Sequence, residues 1–243
     1  MEIIFTFICI ILVASILQTS TGFGFSIMAT PFLLMLFLPQ EAIQINIILS
    51  FIISISLIWK IRMDIDCILL KRLIFGSIVG VPFGIIIFTS ININTFKLAI
   101  SILLLLLTLM LICNFKIQST KSRDFIVGGL SGLLTTSIGM PGPPLLLYFT
   151  GTDTKKEKLR ATTLAFYLFI YFISLLTQIL FTGTNKTIWE SSFYVYAIPI
   201  VFLGLYIGQI IFKWLNQRIF KIFTYILLSC TGIYLLIESL HSL

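Results

Sequence analysis

The chain has 243 residues, of which 58% are hydrophobic and only 10% are charged. Soluble domains average about 45–50% apolar and about 25% charged residues, so this composition excludes a water-soluble protein and favours one embedded in a membrane. The net charge of +7 does not indicate nucleic-acid binding, because the basic residues lie in short loops between apolar runs. The four cysteines are far apart and form no CxxC pair, so we expect neither a metal site nor any other cofactor.

Ten apolar segments follow one another along the chain, separated by polar residues, at 3–19, 25–38, 42–59, 73–90, 96–113, 125–138, 143–150, 161–182, 190–212 and 219–238. Two of them, 25–38 and 143–150, are too short to cross a bilayer comfortably as straight helices. Each short segment lies at a stretch rich in glycine or proline, GFGFS at residues 22–26 (the first break) and GMPGPP at residues 139–144 (the second break). Interrupted segments at corresponding places in two halves indicate a transporter binding site.

The two halves of the sequence are related to each other. A shift of 124 positions aligns residues 80–112 with residues 204–236 and gives 12 identities in 33 positions, among them two glycines four residues apart. A weaker match at a shift of 116 pairs Asn46 with Thr162. We therefore expect one membrane domain, residues 1–243, built from a duplicated unit of five segments, with repeat 1 at about 3–113 and repeat 2 at about 125–238.

The basic residues lie on one side of the predicted membrane. Four loops, 60–72, 114–124, 151–160 and 213–218, together with Lys221, carry 14 of the 16 basic residues. The positive-inside rule makes this side cytoplasmic, so we expect both termini of this cell-membrane protein to be extracytoplasmic. An odd number of segments per unit inverts the second copy. The sequence thus predicts an all-α, polytopic integral membrane helical bundle of two inverted-topology repeats, each with a broken or re-entrant segment.

Neutral polar residues concentrate around the two breaks, and we expect no charged side chain deep in the apolar segments. This pattern argues against a proton relay, a metal cluster or a catalytic dyad, although a single Ser or Thr often bonds only to its own helix. A helix that starts inside the bilayer presents free N–H groups and a positive dipole end, which suit an anion. The predicted substrate-binding residues are Gln18, Thr21, Gly22, Gly24, Ser26, Asn46, Ser137, Gly139, Gly142, Pro143 and Thr162.

The runs GFGFSIMATPFLLML and SIGMPGPPLLLYF, with the late GxxxG pairs, resemble the TauE/SafE family of sulfite and organosulfonate exporters over about residues 5–237. The sequence departs from the family pattern at both breaks, where Phe23 and Phe25 interrupt a run of glycines and Pro141 and Pro143 stand where glycines are common. The resemblance implies membrane transport of small sulfur-containing anions by a protein of about eight spans.

The predicted function is therefore secondary transport of a small oxyanion, such as sulfite or an organosulfonate, out of the cell. Export of a negative charge from a cell that is negative inside gains about 2.3 kcal/mol per 100 mV, so we expect electrogenic or gradient-driven transport without a buried carboxylate. The alternatives are a permease for another small anion, such as a carboxylate, and a membrane accessory protein that transports nothing. An intramembrane enzyme is not expected. The expected partners are the substrate anion and the lipid bilayer, and the oligomeric state stays open.

Overall fold

The computed structural model describes residues 2–90, 120–150, 154–182 and 193–214, with scattered helical residues between 98 and 109 and between 226 and 237. Predicted segments 96–113 and 219–238 therefore lie largely outside the described residues. Every element in the described ranges is helical: α1 Glu2–Thr21, α2 Phe25–Leu36, α3 Pro39–Ile61 with a 3-10 turn Arg62–Asp64, α4 Cys67–Ser90, α5 Lys121–Ile138, α6 Gly142–Thr150, α7 Lys156–Thr182 and α8 Phe193–Trp214.

Five of the described helices are long and apolar enough to cross a membrane, namely α1, α3, α4, α7 and the 197–214 part of α8. Several helices begin earlier than the apolar pattern predicts, because charged residues before the apolar run are good helix formers and extend the first turn. α7 begins at Lys156 rather than at 161, and α5 begins at Lys121 rather than at 125. The large apolar side chains on one face of α4 are exposed, as expected for contact with lipid.

Glycines bring two pairs of helices into backbone contact. A Cβ atom at Gly80 of α4 would lie 2.0 Å from the Gly129 oxygen of α5, and one at Gly204 of α8 would lie 2.5 Å from Ser15 of α1. Both helix pairs run parallel, because Gly84 and Gly208, one turn later, meet residues one turn later on their partners. Small residues at such positions let membrane helices approach closely.

The first and third helices of each half of the chain, α1 with α3 and α5 with α7, are connected by side-chain hydrogen bonds. The Gln18 side-chain amide of α1 donates hydrogen bonds to the main-chain carbonyl oxygen of Ser50 and to the hydroxyl oxygen of Ser54, both in α3, at 3.1 and 3.2 Å. In the second half, the Gln178 side-chain amide of α7 donates a hydrogen bond of 2.8 Å to the main-chain carbonyl oxygen of Thr136 in α5. Each bond replaces hydration that a buried amide has lost, so it fixes the depth of one helix against the other.

The third helices, α3 and α7, pack against each other across the two halves. Phe51 lies 6.3 Å from Phe172 between ring centroids, while Asp66, just beyond the end of α3, bonds to Thr162 near the start of α7. These two contacts make α3 and α7 antiparallel. The packing places residues of both halves around the interior where the two breaks lie.

Candidate functional site

The first break separates α1 from α2 without leaving the protein interior. The Thr21 hydroxyl lies 2.6 Å from the carbonyl oxygens of both Leu17 and Phe23 and accepts a hydrogen bond from the Phe23 N–H. Gly24 has a φ of 106°, a backbone conformation that glycine adopts without strain. No side chain caps α2, so its buried first turn, which contains Ser26, presents N–H groups that have no partner within the helix.

The second break separates α5 from α6. α5 ends at Ile138, and Gly139, with a φ of 72°, bonds through its N–H to the Thr135 oxygen. α6 begins at Gly142, and Pro143 in its first turn costs nothing there because the missing N–H would have no helical partner. All of these residues are buried.

Residues that follow the two breaks meet around Tyr167 of α7. The Phe23 ring lies 6.4 Å from the Tyr167 ring and 6.2 Å from the Phe149 ring of α6. A Cβ atom at Gly142 would lie 3.0 Å from the Tyr167 hydroxyl and 3.3 Å from Ile27 of α2. Phe23 of the first break and Gly142 of the second thus contact the same tyrosine, and Gly142 also lies beside Ile27 of α2.

Each break also lies against the first turns of the third helix of the other half. A Cβ atom at Gly22 would lie 3.0 Å from the Cα atom of Arg160 in α7, and one at Gly139 would lie 2.8 Å from the Asn46 amide nitrogen in α3. Asn46 donates a hydrogen bond of 2.7 Å to the Gly139 oxygen. The two half-chains therefore position each other's breaks.

Several buried hydroxyl and amide oxygens in the helices near the breaks have no hydrogen-bond partner in the described ranges. Tyr167 and Tyr171, one turn apart on α7, are both fully buried. The Tyr171 hydroxyl approaches the Ser26 and Ser50 hydroxyls without closing a well-formed hydrogen bond. In the described part of the chain, the side-chain atoms left without a partner include those of Gln18 (Oε1), Ser26, Thr30, Asn46 (Oδ1), Ser50, Thr163, Tyr167 and Tyr171. Buried polar atoms left unpaired are rare in folded proteins, and such a group calls for an explanation.

Two of the predicted site residues have hydroxyls bonded within their own half. The Ser137 hydroxyl donates to the Leu133 oxygen one turn earlier at 2.7 Å, and the Thr21 hydroxyl closes the end of α1. Thr162 is turned elsewhere, because its hydroxyl accepts a hydrogen bond from the Asp66 N–H at 2.9 Å. Of the predicted polar side chains, Gln18, Ser26 and Asn46 are those with a polar atom still unpartnered in the described ranges.

A cavity of about 240 Å³ opens beside Thr162, at the end of the bundle where the basic loop 60–72 and the start of α7 lie. Its lining carries two ion pairs between the halves, Arg72 with Asp124 and Lys158 with Asp66, each at 2.8 Å. Tyr148 donates a hydrogen bond of 2.6 Å to the other oxygen of Asp124. Among the described residues, no three His, Cys, Asp or Glu side chains converge as metal ligands.

Sequence reasoning placed Asp124 and Arg160 in loops, and the structure buries both. The correction follows from the earlier helix starts, which turn the first residues of α5 and α7 toward the interior. The Arg160 guanidinium lies 4.2 Å from the centre of the Phe212 ring, and its Nε atom has no hydrogen-bond partner in the described ranges. The sequence also gave no reason to select Tyr167 and Tyr171 among the many aromatic residues of α7.

Comparison with protein families matches residues 7–235 to the model described as "Sulfite exporter TauE/SafE". Comparison with curated proteins and with solved structures gives no match. The family match covers almost the whole chain and confirms the resemblance that the motifs at the two breaks indicated. Together with the apolar helices, it identifies a multi-pass membrane protein. The chain therefore belongs to the sulfite exporter TauE/SafE family of membrane transporters.

Proposed function

We propose that the protein carries a small oxyanion, such as sulfite or an organosulfonate, across the cell membrane through the interior between the two breaks. One observation carries the proposal, namely that Phe23 in the first break and Gly142 at the start of α6 both lie against Tyr167. Both helix starts carry the positive end of a helix dipole, and the first turn of α2 adds free N–H donors, whereas Pro143 and Pro144 remove two N–H groups from the first turn of α6. Two such helix ends near one place favour a negative ligand.

The charge around this interior suits transport rather than tight capture. The N–H and hydroxyl donors at the breaks are themselves neutral, so they bind an anion by hydrogen bonds alone. Arg160 adds a positive charge beside the first break, where its backbone packs against Gly22. Because its guanidinium stacks on Phe212 and has no carboxylate partner among the described residues, it attracts anions toward the site.

We infer that the two halves form an inverted-topology repeat, with α1, α2, α3 and α4 corresponding to α5, α6, α7 and α8. The helix contacts support this correspondence. α4 packs on α5 as α8 packs on α1, and α3 packs on its counterpart α7. The antiparallel course of α3 and α7 agrees with it. A pseudo-two-fold axis of this kind places a binding site near the bilayer midplane, where alternate rocking of the halves exposes it to either side.

Export needs no buried proton carrier in this proposal. Asp124 is a fully buried carboxylate, but both of its oxygens are engaged, by Arg72 and by Tyr148. A carboxylate held in this way stabilises the contact between α4 and α5 and the end of α6 rather than exchanging protons during transport. The outward electrical gradient for an anion supplies the driving force.

Counterflow in proteoliposomes tests the proposed function. The purified full-length protein is reconstituted, and uptake of labelled sulfite, methanesulfonate, sulfate or acetate is measured in turn against the same unlabelled anion inside. We expect exchange with sulfite or methanesulfonate that exceeds exchange in protein-free liposomes. Exchange with acetate alone would favour the carboxylate permease, and no exchange with any of the four anions would favour the accessory protein.

A further inference from the structure

We propose that the hydroxyls of Tyr167 and Tyr171, with those of Ser26 and Ser50, are the donors that bind the oxyanion between the two helix starts. The inference rests on the proposed function and adds to it the side chains that contact the substrate. Three of these four residues, Tyr167, Tyr171 and Ser50, were absent from the set that the sequence predicts.

The position of the two tyrosines supports this assignment. Their rings are 5.3 Å apart between centroids, and both side chains are fully buried. Tyr167 directs its hydroxyl at the start of α6, where Gly142 leaves room for it. Tyr171 directs its hydroxyl toward Ser26, in the first turn of α2, and toward Ser50 of α3. One pair of side chains thus connects both helix starts.

The unpaired state of the hydroxyls indicates what they bind. None of the four buried hydroxyl oxygens closes a hydrogen bond of good geometry in the described ranges, and Tyr171, Ser26 and Ser50 lie close enough only to interact weakly with one another. Burying a hydroxyl without a hydrogen bond is unfavourable, so such a cluster persists where a ligand completes it.

The balance of donors and acceptors selects the ligand class. Each of the four hydroxyls can donate one hydrogen bond, and the first turn of α2 adds N–H groups that only donate, so the cluster offers several donors to one ligand. A ligand that offers several acceptor oxygens and no donors matches these donors, as a small oxyanion does. Hydrogen bonds to an ionised acceptor are also the stronger kind. Two hydroxyls one helical turn apart reach different oxygens of the same anion.

Direct binding of labelled sulfite to the purified full-length protein in detergent tests the assignment. Tyr167→Phe and Tyr171→Phe remove one oxygen each and keep the ring packing, and Ser50→Ala serves as a third variant should a tyrosine change impair folding. The loss of a hydrogen bond to a charged group predicts a Kd for sulfite raised about 10-fold or more. Tyr206→Phe is the matched control, because Tyr206 is 68% exposed on α8 and its variant keeps the wild-type Kd.

The outcomes separate this inference from the proposed function. If sulfite binds and is carried, but folded Tyr167→Phe, Tyr171→Phe and Ser50→Ala proteins all bind it with the wild-type Kd, the assignment of these donors is wrong and the transport function stands. If sulfite binds, is not carried, and is bound more weakly by the variants, the transport function fails and the site stands. If the wild-type protein binds no sulfite, the inference is overturned.

Discussion

The Asn46 side-chain amide donates a 2.7 Å hydrogen bond to the main-chain oxygen of Gly139 and so connects the third helix of one half to the break of the other. The main-chain carbonyl needs this donor because it lies beyond the end of α5 and is buried. Both residues were among the predicted site residues. The structure gives them this contact, while their part in binding an anion stays a prediction.

Asn46→Ala leaves the Gly139 oxygen without this donor, and we expect a loss of about 1–3 kcal/mol of unfolding free energy. Thermal unfolding of the detergent-solubilised protein measures it. Ser56→Ala is the control on the same helix, because Ser56 is exposed and its hydroxyl donates to the Ile52 carbonyl oxygen one turn earlier, its one bond among the described residues. Equal stability of the Asn46 and Ser56 variants would contradict the role given to the amide.

Gly80 of α4 and Gly129 of α5 face each other, and we expect Gly80→Ala and Gly129→Ala to have opposite effects on the stability of the protein. A Cβ atom at Gly80 would lie 2.0 Å from the Gly129 oxygen, whereas one at Gly129 would meet nothing nearer than 3.4 Å. Gly80→Ala forces the helices apart and should cost about 1–3 kcal/mol or more. Gly129→Ala should be neutral or stabilising by up to about 1 kcal/mol. Unfolding temperatures of the two variants measured side by side decide this, and the reverse order would show that the helices are not packed as described.

Asp66 should give the stability of the protein a dependence on pH below neutrality. Burial raises the pKa of Asp66, but the hydrogen bond from Lys158 and the N–H groups of Leu69 and Ile68 outweigh it and hold the pKa below its usual value. A lowered folded-state pKa means that the ionised form stabilises the fold above the ordinary aspartate pKa of about 3.9, and that this contribution is lost as the pH falls through the folded value.

Asp66→Ala removes both the ion pair and the cap of α4, so it should cost about 0.5–2 kcal/mol near pH 7 and less as the pH falls below about 4. Asp66→Asn is the matched variant, because asparagine caps a helix nearly as well but cannot pair with Lys158. Unfolding temperatures between about pH 2.5 and 7, a range that extends well below the ordinary aspartate pKa, compare the three proteins. A difference between wild type and Asp66→Ala that stayed constant over this range would count against the ionised cap.

Cys67 tests the predicted orientation, because it is exposed and lies in the basic loop 60–72. In a protein with Cys9, Cys113 and Cys230 changed to serine, a membrane-impermeant maleimide should label Cys67 only after the cells are permeabilised. This result follows from the positive-inside rule, which makes that loop cytoplasmic. Labelling in intact cells would reverse the orientation and place the termini inside.

The sequence was sufficient to predict the helical membrane class and the family, because the length of the apolar segments and the glycine and proline residues between them are local signals. Gly24 and Gly139 were predicted to lie at the binding site, where glycine permits a strained backbone, and each has the positive φ that favours glycine. The helix starts were less predictable. Arg160 is polar, which suggests a loop, but it is also a good helix former. Its burial depends on the packing of the first turns of α7, which the local sequence does not show.

The side chains at the centre could not be selected in the same way. Tyr171 approaches Ser26 and Ser50 across 145 and 121 residues of sequence, and no local pattern encodes that contact. α7 contains several tyrosines and phenylalanines, and the sequence alone does not distinguish those that face the interior from those that face lipid. The burial of a hydroxyl without a partner distinguishes Tyr167 and Tyr171 from the others, and it is a property of the folded chain.

The central claim, that an oxyanion passes between the starts of α2 and α6, is tested most directly by sulfite efflux from proteoliposomes driven by an imposed potential. Gly24→Leu blocks the backbone approach at the first break, and Gly142→Ala fills the space beside Tyr167 at a position without a positive φ. Phe83→Leu, on the exposed face of α4, is the control. We predict that efflux follows the potential in the wild-type and control proteins and is largely lost in both glycine variants, all four being folded by size exclusion. Wild-type efflux in the two glycine variants would contradict the claim.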